Sequence, residues 1–227
     1  MIPIRDVNPS RLTPIINYLL IGACVLIFLY EVSLGSRALK NFISLYGLVP
    51  AHLWGFNGLS HFNFAKSVYP FFTCMFLHGG WLHLIGNMWV LFIFGDNIES
   101  ALGHARYLLF YVASGLAAGS IEVVTNVHSL VPIIGASGAI AGVMGAYFIL
   151  YPKAKILTLF PIFFFFYLLE IPAYVFLGFW FVIQFFNGTF SILNSGQHFA
   201  GIAWWAHVGG FIGGIIFLSQ FGRSRQL

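Results

Sequence analysis

Long apolar runs with few charges inside them constrain this chain more than any other feature of its sequence. Only 7% of its residues are charged and 59% are hydrophobic, whereas roughly a quarter of the residues in a soluble domain are charged. This number of charges cannot cover a surface that faces water on all sides. We therefore expect a single-domain integral membrane protein over residues 1–227. Six of these runs are near the roughly 20 residues that a helix needs to cross a bilayer. They cover residues 14–34, 80–98, 105–124, 137–151, 171–190 and 200–220.

The basic residues predict how the chain is oriented. Seven of the ten Lys and Arg residues lie on one side of the predicted arrangement. They are found before run one, between runs two and three, between runs four and five, and after run six. The positive-inside rule makes that side cytoplasmic. We therefore expect a multi-pass protein of the cell (inner or plasma) membrane with both termini in the cytoplasm, and no binding to nucleic acid. The seven residues are Arg5, Arg11, Arg106, Lys153, Lys155, Arg223 and Arg225.

The fourth run is short for a bilayer crossing. Its fifteen residues would span about 22 Å as a helix, against a hydrocarbon core of about 30 Å. Because Lys153 and Lys155 hold its cytoplasmic end, Ser137 at the other end is expected inside the bilayer region. A serine in that position would lie at the floor of a cavity that opens toward the outer face.

Two connecting segments have unusual compositions. The long first loop, residues 35–79, contains "NFISLYGLVPAHLWGF", which is apolar but interrupted by Gly47 and Pro50. It is expected to lie partly in the membrane interface. Residues 156–170 include Pro161 and are expected to be irregular or re-entrant.

Small residues at matching spacing occur in the fourth and sixth runs. Small residues four apart let two helices approach at backbone distance, which a hydrogen bond between Ser137 and His207 would require. Packing alone explains either stripe, but a serine in one and a histidine in the other favour a nucleophile and its general base. None of the six acidic residues is expected beside His207, so the sequence predicts a dyad. The stripes are Gly138/Gly142 and Ala141/Gly145 in run four, and Gly209/Gly213 and Gly210/Gly214 in run six.

The second run carries two polar side chains on one helical face. His83 and Asn87 are four residues apart in "FLHGGWLHLIGN", so a helix places them together. Such donors suit the oxyanion of a tetrahedral intermediate, and a role in holding helices together is the alternative. His78 does not share that face. The sequence also does not place three or four metal ligands together. We therefore expect no metal, no haem and no other cofactor.

These motifs, in this order, resemble the rhomboid family of intramembrane serine proteases in its compact six-span bacterial form. The resemblance covers nearly the whole chain. It implies an all-α polytopic fold of six transmembrane helices, with a long, partly membrane-embedded first loop and a short central fourth helix. The matching stretches are "FLHGGWLHLIGNMWVLFIFGDNIES", "ESALGHARYLLFY", "GASGAIAGVMGAY", "IPAYVFLGFWFVIQ" and "WWAHVGGFIGG".

The resemblance also implies an activity and a role for each matching residue. Ser137 would be the nucleophile and His207 the general base. His83, Asn87 and the Ser137 backbone N–H would form the oxyanion hole. The implied reaction is endopeptidase cleavage of single-span membrane proteins in or near the bilayer, with these substrates and lipid as partners. Positions that support the first loop and the corner between runs two and three are matched by His78, Glu99 and Arg106.

Two departures from the family pattern and two alternative functions stay open. Position 141 is alanine where some members carry an aromatic residue that stacks on the catalytic histidine, so the support for His207 is undetermined. A Trp-Arg pair found in the first loop of some members is also absent.

We expect loop 191–199 to be a mobile lid and run five a lateral gate. The alternatives are a catalytically idle client-binding protein and a His-based proton channel or transporter, the latter disfavoured by the lack of an inverted repeat.

Overall fold

The structure is a computed structural model that describes residues 1–53, 67–193 and 202–221, and most of these residues are helical. A helix overlaps each of the six apolar runs. In chain order the elements are β1 (Ile2–Asp6), α1 (Ile15–Ser33), α2 (Ser36–Tyr46), α3 (Pro50–Leu53), α4 (Pro70–Thr73), a 3-10 turn (Cys74–Phe76), α5 (Trp81–Leu102), α6 (His104–Thr125), α7 (Ser137–Leu150), β2 (Lys155–Ile162), β3 (Phe165–Pro172), α8 (Ala173–Leu193) and α9 (Trp204–Phe221).

Three of the described helices, α1, α6 and α8, are long and apolar enough to cross a membrane. A fourth candidate joins α5 to the segment Pro70–Phe76, and the two parts are bent by 94°. Helix α7 is apolar but shorter, with 14 residues, which correspond to about 21 Å. The bundle therefore contains a short central helix, and six crossings remain an expectation.

A three-stranded antiparallel sheet corrects the expectation of an all-α chain. The strand order is β1-β2-β3, and β2 pairs with β3 from Lys155↔Pro172 to Ile162↔Phe165. Residues 156–170 are therefore part of a regular hairpin, which corrects the expectation of an irregular segment, and the re-entrant alternative stays a prediction. Pro161 disfavours a helix here, and pairing two extended strands satisfies backbone N–H and C=O groups that an irregular chain would leave unpaired.

Helix α7 lies at the centre of the bundle, and every residue from Gly138 to Tyr147 is buried. Its closest neighbour is α9, as the matching stripes predicted. A Cβ atom added to Gly210 would overlap the carbonyl oxygen of Gly138, and one added to Gly214 would overlap that of Gly142. The two backbones are thus in direct contact, which only glycine permits.

The second glycine stripe of α9 contacts a different helix. A Cβ atom on Gly209 would lie 2.7 Å from the Ile121 side chain, and one on Gly213 would lie 3.0 Å from Ala117. Both neighbours belong to α6. Two adjacent stripes therefore let α9 approach α6 and α7 at the same time.

Parts of two sequence-based predictions lie outside the described residues. The first loop is described up to Leu53 and again from residue 67, and Leu48 in it pairs with Ile133 as an isolated β-bridge. Of the predicted lid 191–199, residues 191–193 form the end of α8 and the others are outside the described part. Arg223 and Arg225 are outside it as well.

Replacing Gly214 with valine is expected to destabilise the fold, because the new side chain would collide with the backbone of Gly142. Overpacking a rigid contact costs about 1–3 kcal/mol and sometimes more. The free energy of unfolding, measured by titrating the detergent-solubilised protein with SDS, should fall by at least that amount. Gly22→Val in α1 is the matched control, because nothing lies within 4 Å of its Cβ position. Equal stability of the two variants would contradict the predicted contact.

Candidate active site

The predicted serine and histidine are hydrogen-bonded to each other. Ser137 is the first residue of α7 and His207 lies in the first turns of α9. The Ser137 Oγ and the His207 Nε2 are 2.8 Å apart. The glycine contact between α7 and α9 brings the two side chains together, as the stripes predicted.

The imidazole of His207 is held by residues of α8 that the sequence analysis missed. Its Nδ1 is 2.8 Å from the Oε1 of Gln184, a buried side chain. The ring of Trp180 lies beside it at a centroid distance of 5.7 Å and a tilt of 38°. Trp204 packs edge-on at 6.3 Å. These contacts supply the support for His207 that Ala141 left undetermined.

A signal for this contact was present in the sequence. Trp180 and Gln184 are four residues apart, so they share one face of α8. Gln184 is also a polar residue in the middle of an apolar run, and such residues are costly in a membrane and commonly functional. The face they share is the one that meets His207.

An acidic residue also lies closer to the histidine than the sequence suggested. Glu122 of α6 is buried, and its Oε2 accepts a hydrogen bond of 2.8 Å from the backbone N–H of Ala206, the residue before His207. Its Oε1 accepts one from the Asn126 side chain at 2.8 Å. Glu122 therefore caps the start of α9 from a neighbouring helix. It positions the backbone that carries His207 and makes no recorded hydrogen bond to the imidazole.

His83, predicted as an oxyanion donor, lies close to the loop that leads into α7. The backbone N–H of Gly79 donates to its Nδ1 at 3.3 Å, so in a neutral ring the proton is on Nε2. A Cβ atom added to Gly135 would be 2.7 Å from this Nε2. The donor therefore faces the backbone two residues before Ser137.

Asn87 offers a second donor to the same place. Its Nδ2 would be 3.7 Å from a Cβ atom on Gly135, and it is one of the buried polar atoms without a hydrogen-bond partner among the described residues. Gly135 has φ +128°, a conformation that disfavours any side chain. A side chain at position 135 would also collide with the His83 ring.

The three predicted support residues have separate environments. The backbone N–H of His78 donates to the Glu31 carboxylate at 3.2 Å, and the His78 ring packs against that of His83. The Glu99 carboxylate accepts hydrogen bonds from the backbone N–H groups of residues 16 and 17, at 2.9 Å and 2.8 Å, and also contacts His104. Arg106 is exposed, and within the described ranges it has no recorded side-chain hydrogen bond or ion pair. Within the described residues, His104 thus contacts Glu99 at this corner, and a support role for Arg106 stays a prediction.

The site has the parts of a serine hydrolase. A hydroxyl is bonded to an imidazole, the imidazole is bonded to a fixed acceptor, and two side-chain donors face the start of the helix that carries the serine. The unpaired backbone N–H groups of the first turn of α7 add further donors and a partial positive charge. This arrangement can deprotonate a hydroxyl nucleophile and stabilise an oxyanion.

Comparison with known proteins agrees with this class of site. The family model of the rhomboid domain matches residues 65–224, which is more than half of the chain and includes every residue of the site. The chain belongs to the rhomboid family.

Individual relatives match over shorter stretches. The putative rhomboid protease YdcA of Bacillus subtilis is 35% identical over 128 residues, 52% of this chain and 62% of that protein. RHOMBOID-like protein 5 of Arabidopsis thaliana is 39% identical over 74 residues, 33% of this chain and 24% of that protein. The mitochondrial presenilin-associated rhomboid-like protein A of Danio rerio is 33% identical over 96 residues, 41% and 25% of the two chains. Each match spans less than two thirds of the relative's length.

Proposed function

We propose that this protein is an intramembrane serine endopeptidase that hydrolyses peptide bonds in or near the transmembrane segments of single-span membrane proteins. The observation that carries the proposal is the 2.8 Å hydrogen bond between Ser137 Oγ and His207 Nε2. It joins a nucleophile to a base in a chain that belongs to the rhomboid family.

The proposed reaction begins when His207 Nε2 takes the hydroxyl proton as Ser137 Oγ attacks the carbonyl carbon of the substrate. The carbonyl oxygen becomes an oxyanion that accepts hydrogen bonds from His83, Asn87 and the Ser137 backbone N–H. The His207 imidazolium then gives its proton to the leaving amine, and an acyl-enzyme remains. Water, deprotonated by His207, attacks the acyl carbon, and Ser137 recovers its proton when the carboxylic acid product leaves.

The proposed topology has six crossings, cytoplasmic termini and an active site that opens toward the outer face. Its support is the distribution of basic residues and the length of α7. With its C-terminal end near Lys153 at the cytoplasmic surface, a helix of 14 residues reaches only about 21 Å into a hydrocarbon core of about 30 Å. Ser137 would then lie below the outer surface, so a substrate helix must unwind locally to reach it.

An idle client-binding protein is the runner-up, and the two proposals differ in what they require of His207. A binding protein has no need for an imidazole that bonds to both a serine and a fixed acceptor. The paired contacts of His207 at 2.8 Å therefore favour catalysis.

Ser137→Ala and His207→Ala are each expected to abolish cleavage, because the nucleophile or its base is removed. The purified protein in detergent would be incubated with a model single-span substrate and, separately, with a fluorophosphonate probe. Wild type should give a cut product and labelled protein, and both variants should lose both signals, with turnover reduced by at least about 10³-fold. Ser120→Ala is the control, since the Ser120 hydroxyl bonds only within its own helix. Cleavage that survives Ser137→Ala would falsify the proposed mechanism.

Asn87→Ala is expected to lower kcat and leave KM nearly unchanged, because its amide stabilises charge that exists only in the transition state. Loss of one oxyanion donor costs about 10²–10³ in kcat, and residual activity should persist because His83 and the backbone donor remain. Ile85→Ala, on the exposed face of the same helix, should have wild-type kinetics. A rise in KM alone would assign Asn87 to substrate binding.

A further inference from the structure

We infer that Gln184 is a positioning residue that fixes the tautomer and the ring orientation of His207, an inference that rests on the proposed function. Two hydrogen bonds hold the His207 imidazole. Gln184 Oε1 lies 2.8 Å from Nδ1, and Ser137 Oγ lies 2.8 Å from Nε2.

The two bonds determine which nitrogen of the neutral His207 ring carries the proton. A carboxamide oxygen can only accept, so Nδ1 must carry the proton when Oε1 faces it. In the neutral ring, Nε2 then has a free lone pair directed at the Ser137 hydroxyl. The opposite tautomer would place N–H on the serine side and leave no base for the first step of the reaction.

An amide suits this position better than a carboxylate for a physical reason. Gln184 is buried, and the residues next to it along α8, Phe181–Ile183 and Phe185–Phe186, are apolar. A charged partner there would have to be desolvated at membrane depth while His207 is neutral. The amide supplies the acceptor without that cost, and Trp180 beside the ring limits its rotation.

The test compares Gln184→Met, Gln184→Glu and Asn187→Met in detergent, with the model substrate and the fluorophosphonate probe. Gln184→Met removes the acceptor at similar volume. It should lower kcat and the rate of Ser137 labelling by about 10- to 100-fold, the worth of one buried hydrogen bond, without a matching rise in KM. Asn187→Met removes an amide from the same helix that has no recorded bond to His207, and it should behave as wild type.

Gln184→Glu restores an acceptor and adds a charge. It should recover most of the turnover, and the acid limb of the pH–rate profile should move to higher pH, because a carboxylate stabilises the protonated imidazole. In NMR spectra of the resting protein, the downfield Nδ1 proton of His207 should be present in wild type and lost in Gln184→Met. This signal does not depend on turnover.

The outcomes distinguish a failure of the proposed function from a failure of the proposed role of Gln184. An inactive, unlabelled wild type would overturn the proposed function whatever the variants do. An active wild type with unchanged kcat, pH profile and Nδ1 signal in Gln184→Met would overturn the role of Gln184 alone. Recovery in Gln184→Glu together with the shifted acid limb would support it, because a purely structural defect moves neither.

A second, independent inference concerns the hairpin of β2 and β3, here called the apolar hairpin (residues 155–172). Its turn residues Phe163 and Phe164 are each 92% exposed, and every residue from Phe163 to Leu169 is apolar or aromatic and exposed. The charged side chains of the hairpin are at its base, where Lys155 pairs with Glu170 at 2.7 Å. A run of this kind is not compatible with water on both faces.

The position of β1 shows where the apolar hairpin lies along the bundle. Asp6 accepts a hydrogen bond from Asn97 of α5 at 3.0 Å, and Pro3 accepts one from Trp89 of α5 at 2.6 Å. Trp89 precedes Asn97 by two helical turns, about 12 Å along the helix. β1 therefore lies along α5, with Asp6 near the polar end opposite the site and Pro3 nearer the site. Because Ile2 pairs with Leu159, β2 extends the sheet in that direction.

We propose that the apolar hairpin lies in the cytoplasmic leaflet, with acyl chains and headgroups covering its exposed faces. The base, with Lys155 and Glu170, would be at the aqueous surface, and the Phe163–Phe164 turn would point into the lipid. The apolar outer surfaces of α5 and α8 continue this belt, with Phe92 and Phe179 exposed. β3 is an edge strand of the described sheet, so one side of its backbone has no strand partner there. Unpaired backbone groups are costly in the hydrocarbon centre, and we therefore place this edge where the acyl chains meet the headgroups.

A nitroxide label tests this placement. The native cysteines, Cys24 and Cys74, are both buried, so Phe164→Cys would provide the reactive thiol, with unlabelled wild type as the blank. The labelled protein would be reconstituted in phosphatidylethanolamine and phosphatidylglycerol vesicles, and its collisions with oxygen and with a water-soluble nickel chelate would be measured. Lys153→Cys, before the base of the hairpin, is the matched aqueous control.

Lipid placement predicts an oxygen-to-nickel collision ratio at position 164 that is several-fold higher than at position 153. Equal ratios would mean that the turn is in water and would overturn the proposal. Low collision rates with both reagents would mean that protein covers the turn, as in pairing between two copies of the chain, and would also overturn it.

Discussion

The contact between the backbones of α7 and α9 is the constraint on which the rest of the site depends. Gly210 and Gly214 lie against the carbonyl oxygens of Gly138 and Gly142 with no room for a Cβ atom. This approach places the first turn of one helix beside the first turns of the other. A hydrogen bond weakens steeply when its geometry is lost, so a displacement of about 1 Å between the helices would break the bond of the dyad. The glycines thus pack the two helices together, and this packing sets the distance between Ser137 and His207 on which the proposed reaction depends.

Leaving a buried polar group unpaired is costly, and two of the pairs described above position His207. Glu122 holds the backbone at the start of α9, and Gln184 holds the imidazole. The Asn87 Nδ2 is one of six buried polar atoms that have no partner among the described residues. An unpaired buried donor costs about 1–3 kcal/mol. The proposed reaction supplies its partner in the oxyanion, so the cost in the free protein would be recovered in the transition state.

Sequence reasoning predicted that Ser137 and His207 meet because the signals were local: a serine and a histidine, each among small residues at a spacing of four. It could not decide which stripe of α9 faces which helix, because Gly209/Gly213 and Gly210/Gly214 have the same spacing. The apolar hairpin was missed because a strand that is apolar on both faces loses the alternation that marks a strand. Gln184 could have been found from its isolation in an apolar run. Its partner could not, since the approach of α8 to α9 depends on tertiary packing.

The support that α8 gives to His207 limits how that helix can act as a gate. A lateral movement of the whole helix would lengthen the 2.8 Å bond between Gln184 and His207 and withdraw Trp180 from the ring. The base would then lose its orientation while substrate enters. Only the part of α8 beyond Gln184, toward Leu193, can move without that effect. A gate in this protein is therefore compatible with a prepared dyad only if its movement is confined to the residues of α8 that follow Gln184.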